Sequence, residues 1–468
     1  MVLNEQKRGK SGKFFHKAKP RGGSADGKEK VPAAPPKAGL DARIAAAKIL
    51  SAVVDRKTSL DGMLDAEHGN PAFLALGDAD RGLVRAILQT ALRYLPRIEA
   101  ILGQLLDSPL PEGARSLHHL LVVGAVQMLY LDVPDHSAVD LAVEQANRDP
   151  RNRRFAKLTN AILRRLGREK AELLESVADV VCMPGWFFDR LVEAYGREAA
   201  DAIARAQLQP AAIDITVKED AAGWAAKLGG QVLPTGSVRL DPFRGAITTL
   251  EGFEDGAWWV QDAAAAVPAR LMGDVRGKRV VDLCAAPGGK TAQLVAAGAD
   301  VTAVEQSESR LKRLKGNLER LGFSADCVRS NLLDFSGEQP FDVVLLDAPC
   351  SSTGTTRRHP DVLWTKGQED IVKLAGVQEK LLRHALTLVG PGGRVVFSNC
   401  SLDPLEGEEL IERVLADNPA FSRVPIGPSG WPGMEAAISP KGDFRATPAV
   451  LADLGGMDGF YACVLAKI

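Results

Sequence analysis

The feature that most constrains the fold of this chain is a regular alternation of strand-type and helix-type segments after about residue 255. Short apolar runs rich in β-branched residues are separated by longer segments with helical spacing. Strands that alternate with helices form parallel sheets with helices on both faces. We therefore predict a doubly wound, mostly parallel sheet over residues 255–468, with ligands at the carboxyl ends of its strands. The predicted strands are 279–283, 301–305, 341–346 and 393–397.

The first third of the chain has only helical periodicity. Apolar residues recur at helical spacing over 84–95, and residues 117–131 are apolar on almost every side, which is typical of the buried helix of a bundle. Asp41 is a candidate N-cap for the first helix. No strand-like alternation occurs before about residue 210, so we predict an all-α domain over residues 40–170.

Residues 171–254 show a mixed pattern between these two parts. A helical stretch from Pro184 to Ala206 is followed by strand-like alternation over 213–217, and an alanine-rich helix is expected after Asp262. This pattern predicts a small α/β adaptor. Three domains agree with a length of 468 residues, which is too long for one ordinary hydrophobic core.

Composition limits where such a chain can work. No apolar run reaches the length of a membrane span, and the N-terminus lacks the apolar core of a secretory signal. The six cysteines include no paired C-x-x-C units, which favours reduced thiols in a cytosol over a structural zinc site. We expect a cytoplasmic protein that acts as a monomer, with no metal and no membrane partner.

Residues 1–39 have the composition of a disordered basic tail. Residues 1–40 contain ten Lys or Arg against three acids, an excess of seven positive charges, among many Gly, Ser and Pro residues. Such a segment cannot bury a hydrophobic core. It could bind a polyanion through phosphate contacts, or it could serve only to keep the protein in solution.

A glycine-containing loop follows the first predicted strand of the sheet. Gly288 and Gly289 allow a ligand to approach the backbone, and Glu305 at the end of the next strand is suited to accept hydrogen bonds from ribose hydroxyls. The spacing is not G-x-G-x-x-G, and Cys284 takes the place of the first glycine of a P-loop. By itself the pattern fits several nucleoside cofactors.

Two cysteines follow predicted strands in short polar motifs. Cys350 ends Asp-Ala-Pro-Cys, and Cys400 lies in Ser-Asn-Cys-Ser. A thiolate can add to an electron-poor carbon, and a neighbouring acid such as Asp347 can polarise the ring that it attacks. A cysteine in such a sheet is more often buried and inert. That interpretation suits the other four cysteines, which are Cys182, Cys284, Cys327 and Cys463.

Longer motifs carry a resemblance to a known family. The string DLCAAPGGK at 282–290 is similar to motif I of the RNA cytosine-5 methyltransferases, the group that includes RsmB (Sun/Fmu). The motifs PDHSAV and NAILRR of the helical part resemble a NusB-like RNA-binding domain. The other matching segments are 347–354 (motif IV), 357–361 with Trp364, 398–401 (motif VI) with Glu406 and Glu408, and 458–461 (closing strand).

The resemblance implies a fold, a cofactor and a reaction. The fold is a NusB-like all-α bundle, an α/β adaptor and a Rossmann-like class I methyltransferase domain. The methyl donor is S-adenosylmethionine, and the product is 5-methylcytosine in RNA, with 16S ribosomal RNA as the expected substrate. The resemblance assigns nucleophilic attack on C6 to Cys400 and the release step to Cys350. The residues alone leave these roles open, because DNA cytosine methyltransferases place the nucleophile in a Pro-Cys motif.

The same resemblance assigns the remaining site residues. Asp347 would hold the N3/N4 edge of the cytosine. Asn331 stands where the family usually has an acid that meets adenine, Asp326 nearby fits that register less well, and Asn399 stands where the family usually has Thr. The expected cofactor-binding residues are Cys284, Ala285, Ala286, Pro287, Gly288, Gly289, Lys290, Glu305, Asn331 and Asp347.

Basic residues at two places are candidates for RNA contact, and at both places a solvated surface is the alternative. Arginine forks can bind phosphates, and a target base must be unstacked, which favours a loop or a flexible helix in RNA. Those near the site are Lys290, Arg357, Arg358 and His359, and those on the helical domain are Arg151, Arg153, Arg154, Lys157, Arg164 and Arg165.

Two other functions remain open from the sequence. The chain could be a non-catalytic RNA-binding assembly factor of the ribosome, for which Asn399 and Asn331 are the only support. It could also perform the same chemistry on transfer RNA, against which the NusB-like part argues.

Overall fold

The computed structural model describes residues 37–468 except Arg244. The basic tail predicted for residues 1–39 therefore lies outside the described residues, apart from its last three. Within the described part, none of the helices has both the length and the apolar character needed to cross a bilayer.

The first domain is a bundle of helices, as predicted. α5 is buried along almost its whole length and packs against α1, α4, α6 and α7. Asp41 lies in the first turn of α1 and not at its N-cap, which is Gly39 in a left-handed conformation. The helices are α1 (Leu40–Arg56), α2 (Leu60–Met63), α3 (Pro71–Leu74), α4 (Asp78–Leu105), α5 (Arg115–Tyr130), α6 (Asp135–Arg148), α7 (Ala156–Arg168) and α8 (Lys170–Ser176).

The adaptor contains a small antiparallel sheet of order β2-β3-β1-β4. Because β4 pairs with β1, this sheet extends to Val260, beyond the boundary predicted at residue 254. The predicted helical stretch up to Ala206 is divided in two at Gly196, where φ is 80°. The elements are α9 (Gly185–Tyr195), α10 (Arg197–Gln207), β1 (Asp214–Val217), α11 (Ala221–Leu228), β2 (Gly230–Val232), β3 (Val238–Leu240) and β4 (Trp258–Val260).

The third domain is a Rossmann-like α/β domain built on a mixed sheet of order β10-β12-β9-β8-β5-β6-β7, with β11 paired to β12. The strands from β9 to β7 are parallel, which confirms the doubly wound prediction, whereas β12 runs antiparallel to β9. The predicted alanine-rich helix is only the single turn α12 (Val267–Arg270).

The remaining elements of this domain follow in chain order. They are β5 (Arg279–Leu283), α13 (Gly289–Ala296), β6 (Asp300–Glu305), α14 (Glu308–Arg320), β7 (Asp326–Arg329), β8 (Phe341–Asp347), α15 (Val362–Thr365), α16 (Gln368–Leu388), β9 (Val389–Asn399), α17 (Glu408–Ala416), β10 (Phe421–Arg423), β11 (Phe444–Ala446) and β12 (Phe460–Lys467).

The register of the central strands brings both cysteine motifs to one edge. β8 and β9 are parallel neighbours, with Asp347 opposite Ser398. Cys350 and Cys400 therefore both follow the carboxyl ends of adjacent strands. The apolar residues of these strands are buried between helices on the two faces, which fixes the strand ends in place.

Segment 357–364 joins the α/β domain to the helical bundle. Trp364 packs against the bundle's core and donates its indole N–H to the carbonyl of Leu92 at 2.9 Å. The Asp361 carboxylate accepts the backbone N–H of Leu60 at 2.9 Å. His359 lies 3.2 Å from the carboxylate of Asp61 in an ion pair. The segment is thus an interdomain contact.

We expect substitutions at Trp364 to weaken this contact. Trp364→Ala removes apolar contact and a hydrogen bond and should lower the free energy of unfolding by about 2–4 kcal/mol. Trp364→Phe keeps most of the apolar contact and should cost about 1 kcal/mol. Urea unfolding measures the loss of unfolding free energy in each variant. In Trp364→Ala, the backbone amides of α4 should also exchange hydrogen faster than in the wild type. Equal stability of the Ala variant and the wild type would contradict this role.

Candidate active site

The two strand-end cysteines lie in contact. Their sulfur atoms are 3.5 Å apart, and both side chains are half-buried. The loop of Cys350 also approaches β12 closely: a Cβ added at Gly354 would lie 2.2 Å from the carbonyl oxygen of Gly459. The backbone N–H of Gly354 donates to the carbonyl of Cys400 at 2.9 Å. The glycine at 354 is therefore required for the two cysteine loops to meet.

The contact makes the two thiols unequal. The hydrogen bond from Cys350 lowers the pKa of Cys400, and the Ser352 hydroxyl lowers it further. The same contact, followed by burial, raises the pKa of Cys350 well above its ordinary value. Cys400 is thus the more acidic of the two thiols. Because a thiolate is the nucleophilic form, this difference in acidity favours Cys400 as the nucleophile, which is the role that the resemblance assigns to it.

The carboxylate of Glu406 connects the two cysteine loops. It is fully buried and accepts the backbone N–H of Ser351 at 2.9 Å and its hydroxyl at 2.5 Å. It also accepts the hydroxyl of Ser401 at 2.5 Å and the side-chain amide of Gln378 at 2.7 Å. Burial raises the pKa of Glu406, and these hydrogen bonds oppose that rise. Ser351 and Ser401 are the residues directly after the two cysteines.

Asn399 makes a complete set of hydrogen bonds beside Cys400. Its amide donates to Gln378 at 3.0 Å and to the carbonyl of Glu406 at 2.6 Å, and its oxygen accepts the backbone N–H of Ser401 at 2.9 Å. The Asn399 side chain is buried. The Asn that replaces the family's usual Thr therefore shapes the loop around the thiol and leaves the thiol itself accessible.

The adaptor holds the other side of the Cys400 loop. Arg190 of α9 forms two hydrogen bonds to the buried carboxylate of Asp403, at 2.5 and 2.8 Å. The Tyr195 hydroxyl donates to the carbonyl of Leu402 at 2.5 Å. Neither residue was among the predicted site residues. They are about 200 positions away from Cys400 and belong to no recognisable motif, so no signal in the sequence identifies them.

A cavity of about 360 Å³ lies beside the glycine loop. Cys284 and Gly288 adopt positive φ angles of 65° and 106°, which bend the backbone around the cavity wall. An added Cβ at Gly288 would lie 2.6 Å from the side chain of Leu314. The adaptor supplies part of the wall. The lining includes Phe253, Trp259, Gln261, Asp262, Asp282, Cys284, Ala285, Ala286, Pro287, Gly288, Gly289, Lys290 and Asp347.

Two acids near this cavity have oxygens without a hydrogen-bond partner. Asp282 lines the cavity and accepts the Thr291 hydroxyl through one oxygen, while its Oδ1 has no partner. Burial raises the pKa of Asp282 to about 7. Glu305 is buried at the end of β6, and its Oε2 has no hydrogen bond but lies 3.5 Å from the guanidinium of Arg310 in an ion pair. Both oxygens suit a ligand with amino or hydroxyl donors, although Glu305 does not itself line the cavity.

The predicted role of Asn331 in cofactor binding receives no support from its position. Asn331 lies beyond the end of β7, is exposed and does not line the cavity. Its amide nitrogen donates to Asp334 at 2.9 Å, and its oxygen accepts the backbone N–H of Leu333. The side chain is thus used within its own turn. Asp326, at the start of β7, lies at the opposite end of the strand from Asn331.

Asp347 is held between a cation and a hydroxyl. Lys290 lies 2.7 Å from one carboxylate oxygen, and Ser398 donates to the other at 2.9 Å. The ammonium of Lys290 also lies over the ring of Phe460, 5.1 Å from its centroid. This arrangement positions an acid at the carboxyl end of β8, close to the cavity and to the cysteine loops.

Cys400 opens into a second cavity of about 550 Å³. Its wall includes Ser59 and Asp61 of the helical bundle, together with Arg310, Arg313 and His359 of the α/β domain. The two cavities share only Ala286 and Pro287 in their linings. The thiol and the glycine loop thus face neighbouring spaces on either side of this dipeptide.

Arg357 and Arg358 were expected to contact phosphates. The position of Arg357 contradicts this expectation, and the contacts of Arg358 give it no support. Arg357 is buried and donates to the carbonyl of Gly455 at 2.7 Å. Arg358 is paired with Asp262 at 2.5 Å and Asp458 at 3.0 Å. Both guanidinium groups are occupied within the protein, because this segment joins domains. His359 is paired with Asp61 but remains 43% exposed.

The basic residues predicted on the helical domain are mostly at its surface. Arg151, Arg153, Arg154, Lys157 and Arg164 are exposed, and Arg165 is half-buried. Some of them have local partners: Arg151 is paired with Asp149, and Arg165 is paired with Glu169. They form a basic surface that is separate from the two cavities.

We expect the Glu406 network to control the acidity of Cys400. Glu406→Ala leaves four buried donors without their acceptor and should lower the free energy of unfolding by about 3 kcal/mol or more. The pH midpoint for alkylation of Cys400 by iodoacetamide, followed by mass spectrometry, should rise towards the ordinary thiol value. Glu406→Gln should have a smaller effect, since serine hydroxyls can accept from an amide. An Ala variant with the wild-type midpoint would refute this dependence.

Comparison with known proteins gives matches over nearly the whole chain. Residues 270–466 match the family described as 16S rRNA methyltransferase RsmB/F, and residues 40–168 match the NusB family. A protein of known structure, a methyltransferase homolog from Pyrococcus horikoshii, is 27% identical with a TM-score of 0.52, covering 63% of this chain and 98% of its own.

Curated relatives extend the match. The ribosomal RNA small subunit methyltransferase B of Vibrio vulnificus is 36% identical over 451 residues, which cover 92% of this chain and 100% of the relative. The protein of the same name from Salmonella agona is 34% identical over 410 residues, covering 84% and 94%. The resemblance drawn from the motifs is thereby confirmed. The chain belongs to the family of ribosomal RNA small subunit methyltransferase B.

Proposed function

We propose that the protein transfers a methyl group from S-adenosylmethionine to C5 of a cytosine in small-subunit ribosomal RNA, through a covalent bond between Cys400 and C6 of the base. Membership of a ribosomal RNA methyltransferase family supports the coarser part, which is methylation of ribosomal RNA. The choice of C5 and the covalent bond are supported by the paired cysteines, whose contact at 3.5 Å is the main observation behind the proposal.

The cavity at the glycine loop fits S-adenosylmethionine. The unpartnered oxygen of Asp282 can accept a hydrogen bond from an ammonium group. The carboxylate of Glu305, which Arg310 approaches to 3.5 Å, can accept hydrogen bonds from ribose hydroxyls. The positive φ of Gly288 allows the loop to bend close to a ligand. When bound, S-adenosylmethionine supplies an electrophilic methyl group. The residues proposed to hold it are Cys284, Ala285, Ala286, Pro287, Gly288, Gly289, Lys290, Asp282, Glu305 and Asp347.

Cys400 starts the chemistry, because C5 of cytosine is too weak a nucleophile by itself. Addition of the Cys400 thiolate to C6 forms an S–C6 bond and moves the electrons of the C5–C6 double bond towards N3. C5 then has enamine character and can accept a methyl group. Division of one difficult reaction into two easier steps is the advantage of covalent catalysis.

Asp347 assists the addition from the other side of the ring. Its carboxylate, oriented by Lys290 and Ser398, can hold the N3/N4 edge of cytosine and favour the protonated form of the ring. A proton taken up at N3 from water neutralises the negative charge that develops there during addition, and the carboxylate accepts a hydrogen bond from the resulting N3–H. Lys290 also remains a candidate for contact with the base or a phosphate.

Cys350 is suited to the release step. Its pKa is raised by the hydrogen bond and the negative charge of Cys400, and by burial. Once Cys400 is bonded to C6 it no longer carries that charge, so the Cys350 thiol becomes more acidic. Loss of its proton to water gives a Cys350 thiolate, which can remove the C5 proton. The C5–C6 double bond then re-forms, and the S–C6 bond breaks with its electron pair returning to Cys400 as a thiolate.

Mapping of the methylated base tests the proposal directly. The protein is incubated with 16S ribosomal RNA and labelled S-adenosylmethionine, and the RNA is digested and analysed by mass spectrometry. We expect label in 5-methylcytosine at one position or a few. Transfer RNA provides the comparison substrate. If only transfer RNA is labelled, the substrate is transfer RNA and not ribosomal RNA. If no RNA is labelled, only a non-catalytic role remains.

The two cysteines should respond differently to substitution. Cys350→Ala should accumulate an RNA–protein adduct that resists denaturing electrophoresis, since the adduct forms and is not released. Cys400→Ala should form no adduct. The double variant that carries both Cys350→Ala and Cys400→Ala is the matched control and should form no adduct either. Methyl transfer should fall by roughly 100-fold or more in each single variant. An adduct in the Cys400→Ala variant would reverse the assignment.

A further inference from the structure

We propose that the space between α2, α4 and α14 is a binding site for the RNA nucleotides next to the target cytosine, with Arg85 and Arg313 as phosphate contacts on opposite walls. This inference rests on the proposed function and adds the path of the RNA strand to it. Arg85 belongs to the helical bundle and Arg313 to the α/β domain.

The site is formed by two adjoining cavities. One, of about 550 Å³, contains Cys400. The other, of about 310 Å³, is lined by Arg85, Gln89 and Leu64 of the bundle. Both are lined by Asp61, Arg313, His359 and Asp361, so they meet at these four residues. The two cavities therefore adjoin, one at the proposed nucleophile and the other at the surface of α4.

The position of Cys400 makes this space the access route of the base. A base can react with Cys400 only if it enters the cavity onto which the sulfur opens. Its neighbours in the strand are covalently attached and must lie in adjoining space. A cavity of about 550 Å³ can take an unstacked base from a single strand, whereas a base in a duplex stays stacked and paired and cannot reach the thiol.

Charges in the space favour a polyanion. Arg85 and Arg313 are exposed, and neither forms an ion pair with any residue in the described ranges 37–243 and 245–468. Arg85 stacks on the ring of Phe73, 4.9 Å from its centroid, which holds its guanidinium in place. Arg310, by contrast, is engaged by the carbonyl of Ala286 and by Glu305.

The carboxylates of the same space are already engaged. Asp61 is paired with His359, and Asp361 accepts the backbone N–H of Leu60. Asp65 accepts two backbone N–H groups, from Glu67 and His68. Protonated His359 offsets the charge of Asp61. The backbone hydrogen bonds lower the pKa of Asp65, and the nearby charge of Arg313 lowers it further, so Asp65 stays ionised. Arg85 and Arg313 form no ion pair with these carboxylates and can bind phosphates. Gln89 adds a side chain that can bind a base edge.

Binding of a labelled single-stranded fragment of 16S ribosomal RNA, measured by fluorescence anisotropy over a range of salt concentrations, tests this inference. Arg85→Ala and Arg313→Ala should each weaken binding roughly 3- to 10-fold and reduce the salt-dependence slope by about 0.7, as expected for one lost phosphate contact on a single strand. Lys312→Ala is the matched control, since Lys312 is exposed on α14 but outside both cavities. It should leave both quantities unchanged.

Methylation kinetics separate this inference from the proposed function. If RNA follows this path, Arg85→Ala and Arg313→Ala should each raise KM for RNA and leave kcat unchanged. Each should also still form the covalent RNA adduct when combined with Cys350→Ala. Arginine variants that match Lys312→Ala in affinity and slope would overturn the path, even in an active enzyme. If the wild-type protein binds RNA but neither methylates it nor forms a covalent adduct, the proposed function is refuted. The salt dependence of binding in the two arginine variants would still show whether RNA follows the proposed path.

Discussion

The buried carboxylate of Glu406 is the interaction on which the arrangement of the two cysteines depends. The ladder between β8 and β9 fixes where the strands end, but it does not fix the loops that follow. Glu406 joins these loops through Ser351 and Ser401. A buried carboxylate is costly unless its oxygens are hydrogen-bonded, and here four donors provide that compensation. The 3.5 Å contact between the sulfurs, and hence the acidity of Cys400, follows from this network.

Parallel strand pairing explains what could be predicted from the sequence. Motifs at the ends of buried strands must meet at one edge of a parallel sheet, so the position of Cys350 beside Cys400 followed from strand prediction together with the resemblance. The helical bundle followed from periodicity. The extension of the adaptor sheet to Val260 could not be predicted, because β4 pairs with a strand more than 40 positions earlier. The same holds for Arg190, whose partner Asp403 is distant in sequence.

Basic motifs were the least reliable guide, for a physical reason. A sequence shows the charge of an arginine but not whether an acid lies opposite it. Arg358 has two acidic partners within the protein, and the segment around it holds the domains together. Arg85 and Arg313 belong to no motif, yet neither forms an ion pair with another residue that the structure describes, and both line the cavity that adjoins the one at Cys400. Availability of a guanidinium is a property of the fold and can be judged only from contacts.

Each of the first two domains completes one cavity of the third. The adaptor supplies Phe253 and Trp259 to the cavity at the glycine loop, and the helical bundle supplies Ser59 and Asp61 to the cavity at Cys400. If the first cavity holds the methyl donor and the second holds RNA, neither ligand has to pass through the site of the other. The α/β domain alone would leave both spaces open to solvent on one side. The adaptor sheet and the helical bundle thus each supply one wall to a cavity of the α/β domain, and the two cavities lie on opposite sides of one dipeptide, Ala286 with Pro287.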